Sequence, residues 1–324
     1  LGRRNSYHGN TIYTLSIGHF ASRREPFLPL LQPEQHVSDC NCYHCPFDKT
    51  YPECELACAG DLETRILAEG PESVAAFIAE PIVAAAAGVV VPPSADYFRR
   101  IREICTRYDV LLIADEIVTG FGRTGLPFAV QHWDVRPDVI VFAKGVASGY
   151  APLAGFIAAD ELVAAFDERD EPFNTLFTYS AHPVSCAIGV AVQDVVAKEG
   201  LIARSAEMGD YLAQRLEGLH DIPIVGDIRG MGTLRGIEIV ANQETGERFP
   251  AALDVANDIQ RELYRRQVLH YQGNWRDDEG RGAQIILAPP FVIERDEIDL
   301  LVDTLSEVLS DRADAYASAR VAAR

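Results

Sequence analysis

The chain has 324 residues, 48% of them hydrophobic, enough to bury a full-sized core and to divide into one large and one smaller domain. Its 29 basic and 48 acidic residues give a net charge of −19, which leaves no basic face for nucleic acid. No apolar run reaches membrane-spanning length and no secretory signal opens the sequence, so neither nucleic acid nor membrane is expected as a partner.

In chain order, Tyr7, His8 and Gly9 come first and read, on their own, as loop residues. Cys40, Cys42, Cys45, Cys54 and Cys58 follow, with His44 among them. Soft thiolates suit zinc or an iron–sulfur cluster, but the spacing is not that of paired metal knuckles. The expectation is reduced loop cysteines and no metal. Seven cysteines in all, an odd number without a signal segment, point to reduced thiols in a cytoplasm.

From Val74 onward strands and helices alternate. Ala76 to Glu80 is a short apolar run, and Ser94 is expected to cap a helix with Tyr97, Phe98, Ile101, Ile104 and Cys105 on one face. Val110 to Ala114 runs into Asp115, Val139 to Ala143 runs into Lys144, and Ala154 to Ala158 follows. Continuous apolar strands joined by helices predict an α/β fold with a mostly parallel sheet flanked by helices. Helices are expected over Pro183 to Lys198 and Leu201 to Leu216.

Beyond residue 217 the order changes. Strands around Gly232 to Val240 and Gln284 to Ala288, with helices at Ala251 to Gln267 and Arg295 to Leu309, predict a smaller C-terminal α+β domain. The boundaries are 1–217 for the large domain, 218–312 for the small one and 313–324 for a tail. The Ala/Arg-rich stretch from about Arg312 reads as a fraying helix or a disordered end. Gly230, Gly232 and Gly236 imitate a nucleotide loop but lack its strand-to-helix context.

Three consecutive apolar strands end in Glu80, Asp115 and Lys144, and ligands gather at the carboxyl ends of such strands. An amine beside a carboxylate is what pyridoxal 5'-phosphate requires: one forms an imine with the aldehyde, the other keeps the pyridine nitrogen protonated. Only three of the 29 basic residues are lysines, Lys49, Lys144 and Lys198, so a surviving lysine marks a place that needs a primary amine. Taken singly, Asp115 also reads as a helix cap and Lys144 as the strand's exit from the core.

The stretch Ile113-Ala-Asp-Glu-Ile-Val-Thr-Gly-Phe-Gly-Arg-Thr-Gly125, followed by Pro137-Asp-Val-Ile-Val-Phe-Ala-Lys-Gly145, resembles the signature of class III aminotransferases, the group of the ornithine, GABA and omega-amino-acid enzymes. Ser6-Tyr-His-Gly-Asn-Thr11, Ala79-Glu-Pro-Ile82, Phe177-Thr-Tyr-Ser-Ala-His-Pro183, Arg229-Gly-Met-Gly232 and Leu287-Ala-Pro-Pro290 extend it over nearly the whole chain. The resemblance implies the PLP fold type I, with Lys144 and Asp115 as catalytic residues and Tyr7, His8, Gly9, Asp115, Ile117, Lys144 and Thr178 binding the cofactor. In it Tyr7 and Ile117 sandwich the ring, Thr178 reaches the phosphate of a neighbouring subunit in a homodimer, and Glu80 faces the substrate.

Two departures from that family pattern stand out. The pattern has an amino-terminal segment before the Tyr-His-Gly element, whereas this sequence begins just before it, as a truncated chain would. Many members carry an arginine just before Pro-Pro to grip the substrate carboxylate, and Ile286 stands there instead. Arg276 and Arg281 are candidate substitutes, though both read more simply as surface arginines. The expected activity is ping-pong exchange of an amino group between an amine or amino acid and a 2-oxo acid. An aminomutase or decarboxylase on the same scaffold, or a non-enzymatic metal-binding or assembly protein on a degenerate one, are the alternatives.

Overall fold

The computed structural model describes residues 1–33, 35–169, 172–277 and 279–322, with side chains as far as residue 317. The chain opens with β1 (Gly2–Arg3), α1 (Ile12–Ile17), α2 (Ala21–Arg24), β2 (His36–Val37) and α3 (Ala57–Glu69). The central run is β3 (Ala76–Ala79), α4 (Asp96–Arg107), β4 (Leu111–Asp115), β5 (Val139–Phe142) and β6 (Gly155–Ala158), then helices α5 (Asp160–Asp167), α6 (Pro183–Lys198) and α7 (Leu201–Leu216). The last part holds β7 (Val225–Met231), β8 (Leu234–Ile239), α8 (Val255–Arg265), β9 (Tyr271–Gln272), β10 (Gln284–Leu287) and α9 (Arg295–Ala322).

The central sheet has the order β3-β4-β5-β6. β3, β4 and β5 run parallel, and only β6 is antiparallel to its neighbour. This is the mostly parallel, helix-flanked sheet that the continuous apolar runs predict. α4 forms because Tyr97, Phe98, Ile101, Ile104 and Cys105 recur at helical spacing, and all five are buried in the core with Leu62 and Ile66 of α3. Asp96 in its first turn and Arg107 in its last complement the helix dipole. Ala95, the residue just before α4, already has helical dihedrals and makes no side-chain cap, so the side-chain cap comes from Ser94 as expected. The Ser94 hydroxyl accepts from the Asp96 N–H at 3.2 Å.

The second sheet is antiparallel, in the order β7-β8-β10-β9. Side chains alternate across β10: Ile285 and Leu287 join a core with α7, α8 and α9, while Ile286 points into the core of the central sheet. This second core begins inside α7, at Met208, Leu212 and Leu216.

Two expectations differ from the structure. The helix expected over Ala251 to Gln267 is a short 3-10 turn, Ala251–Leu253, followed by α8, because Asp254 takes a left-handed conformation (φ 47°) between them. α9 does not fray at Arg312. Its apolar stripe continues through Ala313 and Tyr316, and Tyr316 donates to Asp258 at 2.8 Å. Residues 323 and 324 of the expected tail lie outside the described residues. Gly230 lies one residue before the end of β7, Gly232 sits in the turn and Gly236 lies within β8, so these glycines shape a hairpin, not a nucleotide loop, as expected.

Candidate active site

Parallel pairing sets the site. Ala79 lies opposite Ala114, so Glu80 and Asp115 leave adjacent strands at the same level. Asp115 pairs with Val141, which carries Lys144 three residues past that point into a 3-10 turn, Lys144–Val146. Lys144 has a left-handed φ of 40°, an uncommon conformation for a residue with a side chain.

The amino-terminal segment closes over these strand ends. Leu1 N donates to Ala76 O at 2.8 Å and Ile78 N–H to Leu1 O at 2.9 Å, which lays the segment along β3. Tyr7 N–H donates to Glu80 Oε1 at 2.9 Å, and His8 Nδ1 donates to Asp115 Oδ2 at 2.7 Å. His8, Glu80 and Asp115 are all buried, and His8 Nε2 has no hydrogen-bond partner among the described residues. Asp115 Oδ1 also accepts from Ile117 N–H at 3.2 Å. Half-buried Tyr7 packs edge-on against Phe20 at 5.6 Å, and its hydroxyl donates to Asn10. Gly9 follows with φ 127°, where a Cβ would press on Thr14 Oγ1 at 3.0 Å.

Burial pushes the Glu80 carboxyl above its ordinary value. His8 opposes that shift and Asp115 adds to it. Desolvation pulls the Lys144 amine down, against the attraction of Glu80 and Asp115. Lys144 is exposed by area while its amine is partly desolvated, so it stands at the rim of the group.

The structure therefore brings Tyr7, His8, Gly9, Glu80, Asp115, Ile117 and Lys144 to one end of the sheet. Thr178 is not joined to them. It sits in an exposed turn between Phe177 and Tyr179, which are 74% and 79% exposed. Ile286 is a buried core residue, and no arginine approaches from that position. Arg276 donates to Gly273 O and Trp275 O, while Arg281 pairs with Asp277 at 2.9 Å. Among the described residues no three His, Cys, Asp or Glu side chains are placed to hold a metal ion, and no helix is long and apolar enough to cross a membrane.

Three supports escape the sequence reading. Arg3 is fully buried and donates to Glu80 O, bracing the strand end from behind. Buried Glu116 accepts from Val130 N–H at 2.9 Å and from the Thr119 hydroxyl, which closes the loop after Asp115. Arg123 donates to Pro289 O at 2.6 Å and Thr233 Oγ1 at 2.9 Å, and its guanidinium lies 4.7 Å from the Phe291 ring, tying that loop to the second sheet. Desolvation pulls Arg123 down to about 10. The motif Gly120 to Gly125 was the only signal for it.

A primary amine, an anchored buried carboxylate, an aromatic ring and an aliphatic side chain at one sheet end are the donor set that pyridoxal 5'-phosphate needs, so the residues present fit that cofactor. Fold and site together define a PLP-dependent enzyme of fold type I. Comparison with known proteins agrees: the family model for class-III aminotransferases matches residues 2–309, and the chain belongs to that family.

It is 37% identical to an uncharacterized aminotransferase, YodT, of Bacillus subtilis, over 96% of this chain and 70% of that protein. It is 36% identical to a putrescine–pyruvate aminotransferase of Pseudomonas aeruginosa, over 97% of this chain and 66% of the relative. Among solved structures, an (S)-enantioselective omega-transaminase from Thermomicrobium roseum superposes with a TM-score of 0.87 at 36% identity, over 96% of this chain and 67% of the other. The chain thus spans about two thirds of the length of such relatives.

Proposed function

We propose that Lys144 is the amine to which pyridoxal 5'-phosphate attaches in this aminotransferase, and that Asp115 pairs with the cofactor's ring nitrogen. The observation that supports this reading best is the delivery of acid and amine by adjacent strands, with the acid anchored by His8 at 2.7 Å. When bound, the cofactor supplies an electron-accepting ring that stabilises negative charge on the substrate carbon. Desolvation shifts Lys144 toward its neutral amine, the form that would hold the cofactor and could take up a proton at Nζ. His8 and Gly9 hold the loop that presents Tyr7, and Tyr7 with Ile117 forms the two walls about the ring. Glu80 stands on the substrate side, where its carboxylate also fixes the Tyr7 backbone.

The proposal includes a homodimer in which Thr178 reaches the cofactor phosphate of the partner subunit. Leu176, Phe177, Tyr179 and Val184 are exposed around Thr178, and an apolar patch of that kind favours a protein partner. A cytoplasmic location agrees with seven free thiols. The proposed division is a large domain 1–217 and a small domain from 218 onward that includes the end of α9, since Ala313 and Tyr316 pack in its core.

The test is a half-reaction. The chain loaded with cofactor is mixed with an amino donor in the absence of any oxo acid. Conversion to a stable pyridoxamine spectrum with one free oxo product per site is the expected result. Carbon dioxide release, or an isomerised amine without oxo product, means a decarboxylase or an aminomutase instead.

A further inference from the structure

None of the roles above uses the cysteine loop. Cys40, Cys42, Cys45, Cys54 and Cys58 line one small enclosed cavity together with Lys49, and all five are free thiols. Cys42 and Cys45 stand apart from the rest by chain geometry, since they flank the turn at Tyr43 and His44. Both turn N–H groups donate to Asn41 Oδ1, at 3.1 and 3.3 Å. The ends of a four-residue turn lie within about 7 Å of each other, close to the Cα separation a disulfide spans. Cys42 is exposed and Cys45 half-exposed, whereas Cys40, Cys58 and Cys105 are buried.

We propose that Cys42 and Cys45 form a reversible thiol–disulfide pair, oxidised by exchange with a low-molecular-weight disulfide of the glutathione type. One cysteine thiolate attacks a glutathione sulfur, forms a mixed disulfide and releases one glutathione thiolate, which takes up the proton the cysteine lost. The second cysteine then attacks the protein sulfur of that mixed disulfide and expels the other glutathione. Two protein thiols become one S–S bond, and one small disulfide is reduced to two thiols.

The bond closes the turn that carries His44. That ring stacks on Trp275 at 5.6 Å and 9°, and its Nε2 lies 3.6 Å from Glu238, so oxidation braces the docking of this loop on the second sheet. Partial burial, then Cys45, Cys54, Asp227 and Asp39, hold the Cys42 thiol above its ordinary value, so exchange accelerates as pH rises.

The test equilibrates the cofactor-loaded chain across a series of glutathione thiol-to-disulfide ratios, quenches with an alkylating agent and maps the peptides by mass. The expected product is a peptide lighter by two hydrogens, with Cys42 joined to Cys45, while Cys40, Cys58 and Cys105 stay reduced. Cys42→Ser leaves a glutathione adduct on Cys45, and Cys54→Ser leaves the bond intact. A bond from Cys42 to Cys54, a persistent glutathione adduct on Cys42 in the parent chain, or free thiols at every ratio overturns the proposal.

Discussion

His8 Nδ1 and Asp115 Oδ2 meet at 2.7 Å although 107 residues separate them, and both side chains are buried. Removing one partner of a buried pair costs about 3–5 kcal/mol because the other is left uncompensated. Asp115→Asn removes the negative charge that would keep the cofactor's ring nitrogen protonated and should lower kcat/KM by roughly 100-fold or more, as steady-state kinetics with a saturating oxo acid will measure. His8→Ala removes one charge-assisted hydrogen bond and should destabilise the fold by about 1.5–3 kcal/mol, as urea unfolding will measure. Equal activity in the Asp115→Asn variant contradicts the assignment.

Glu80 provides a pH-dependent check. Its folded-state pKa is raised above the ordinary 4.5, so the folded chain disfavours the ionised form. That penalty is absent below the ordinary value and grows as pH rises through the raised one. Glu80→Gln should consequently gain in melting temperature relative to the parent as pH goes from acidic to neutral. A gap that stays constant across this range indicates that Glu80 is not buried as an acid.

α7 meets the β7–β8 hairpin at Gly209, where a Cβ would come within 2.2 Å of the Gly232 carbonyl carbon. Gly209→Ala must push two backbones apart. Urea unfolding should show a loss of about 1–3 kcal/mol, the usual cost of overpacking.

The end of α9 makes a further prediction. Tyr316 is 7% exposed and its hydroxyl donates to Asp258 at 2.8 Å. Tyr316→Phe should cost about 0.5–1.5 kcal/mol in the same assay, whereas a frayed end would show no change.

The strand ends were legible in the sequence because β3, β4 and β5 are continuous apolar runs, and each is followed by a residue that does not belong in a core. The pattern alone thus places Glu80, Asp115 and Lys144 at one sheet end. β7 was not legible: Gly226, Asp227, Arg229 and Gly230 interrupt its pattern, and it is held by pairing with β8. The pairing of His8 with Asp115 and the buried position of Arg3 depend on contacts between distant parts of the chain, which no local periodicity encodes. The tail misled because Ala and Arg dominate it, while its packing rests on Ala313 and Tyr316.

The central claim is that one lysine holds the cofactor. The chain is mixed with pyridoxal 5'-phosphate, reduced with borohydride, digested and mapped by mass spectrometry. A pyridoxyl group on Lys144, and its loss in Lys144→Ala, is the predicted result. A label on Lys49 or Lys198 in place of Lys144, or no label at all, contradicts the account.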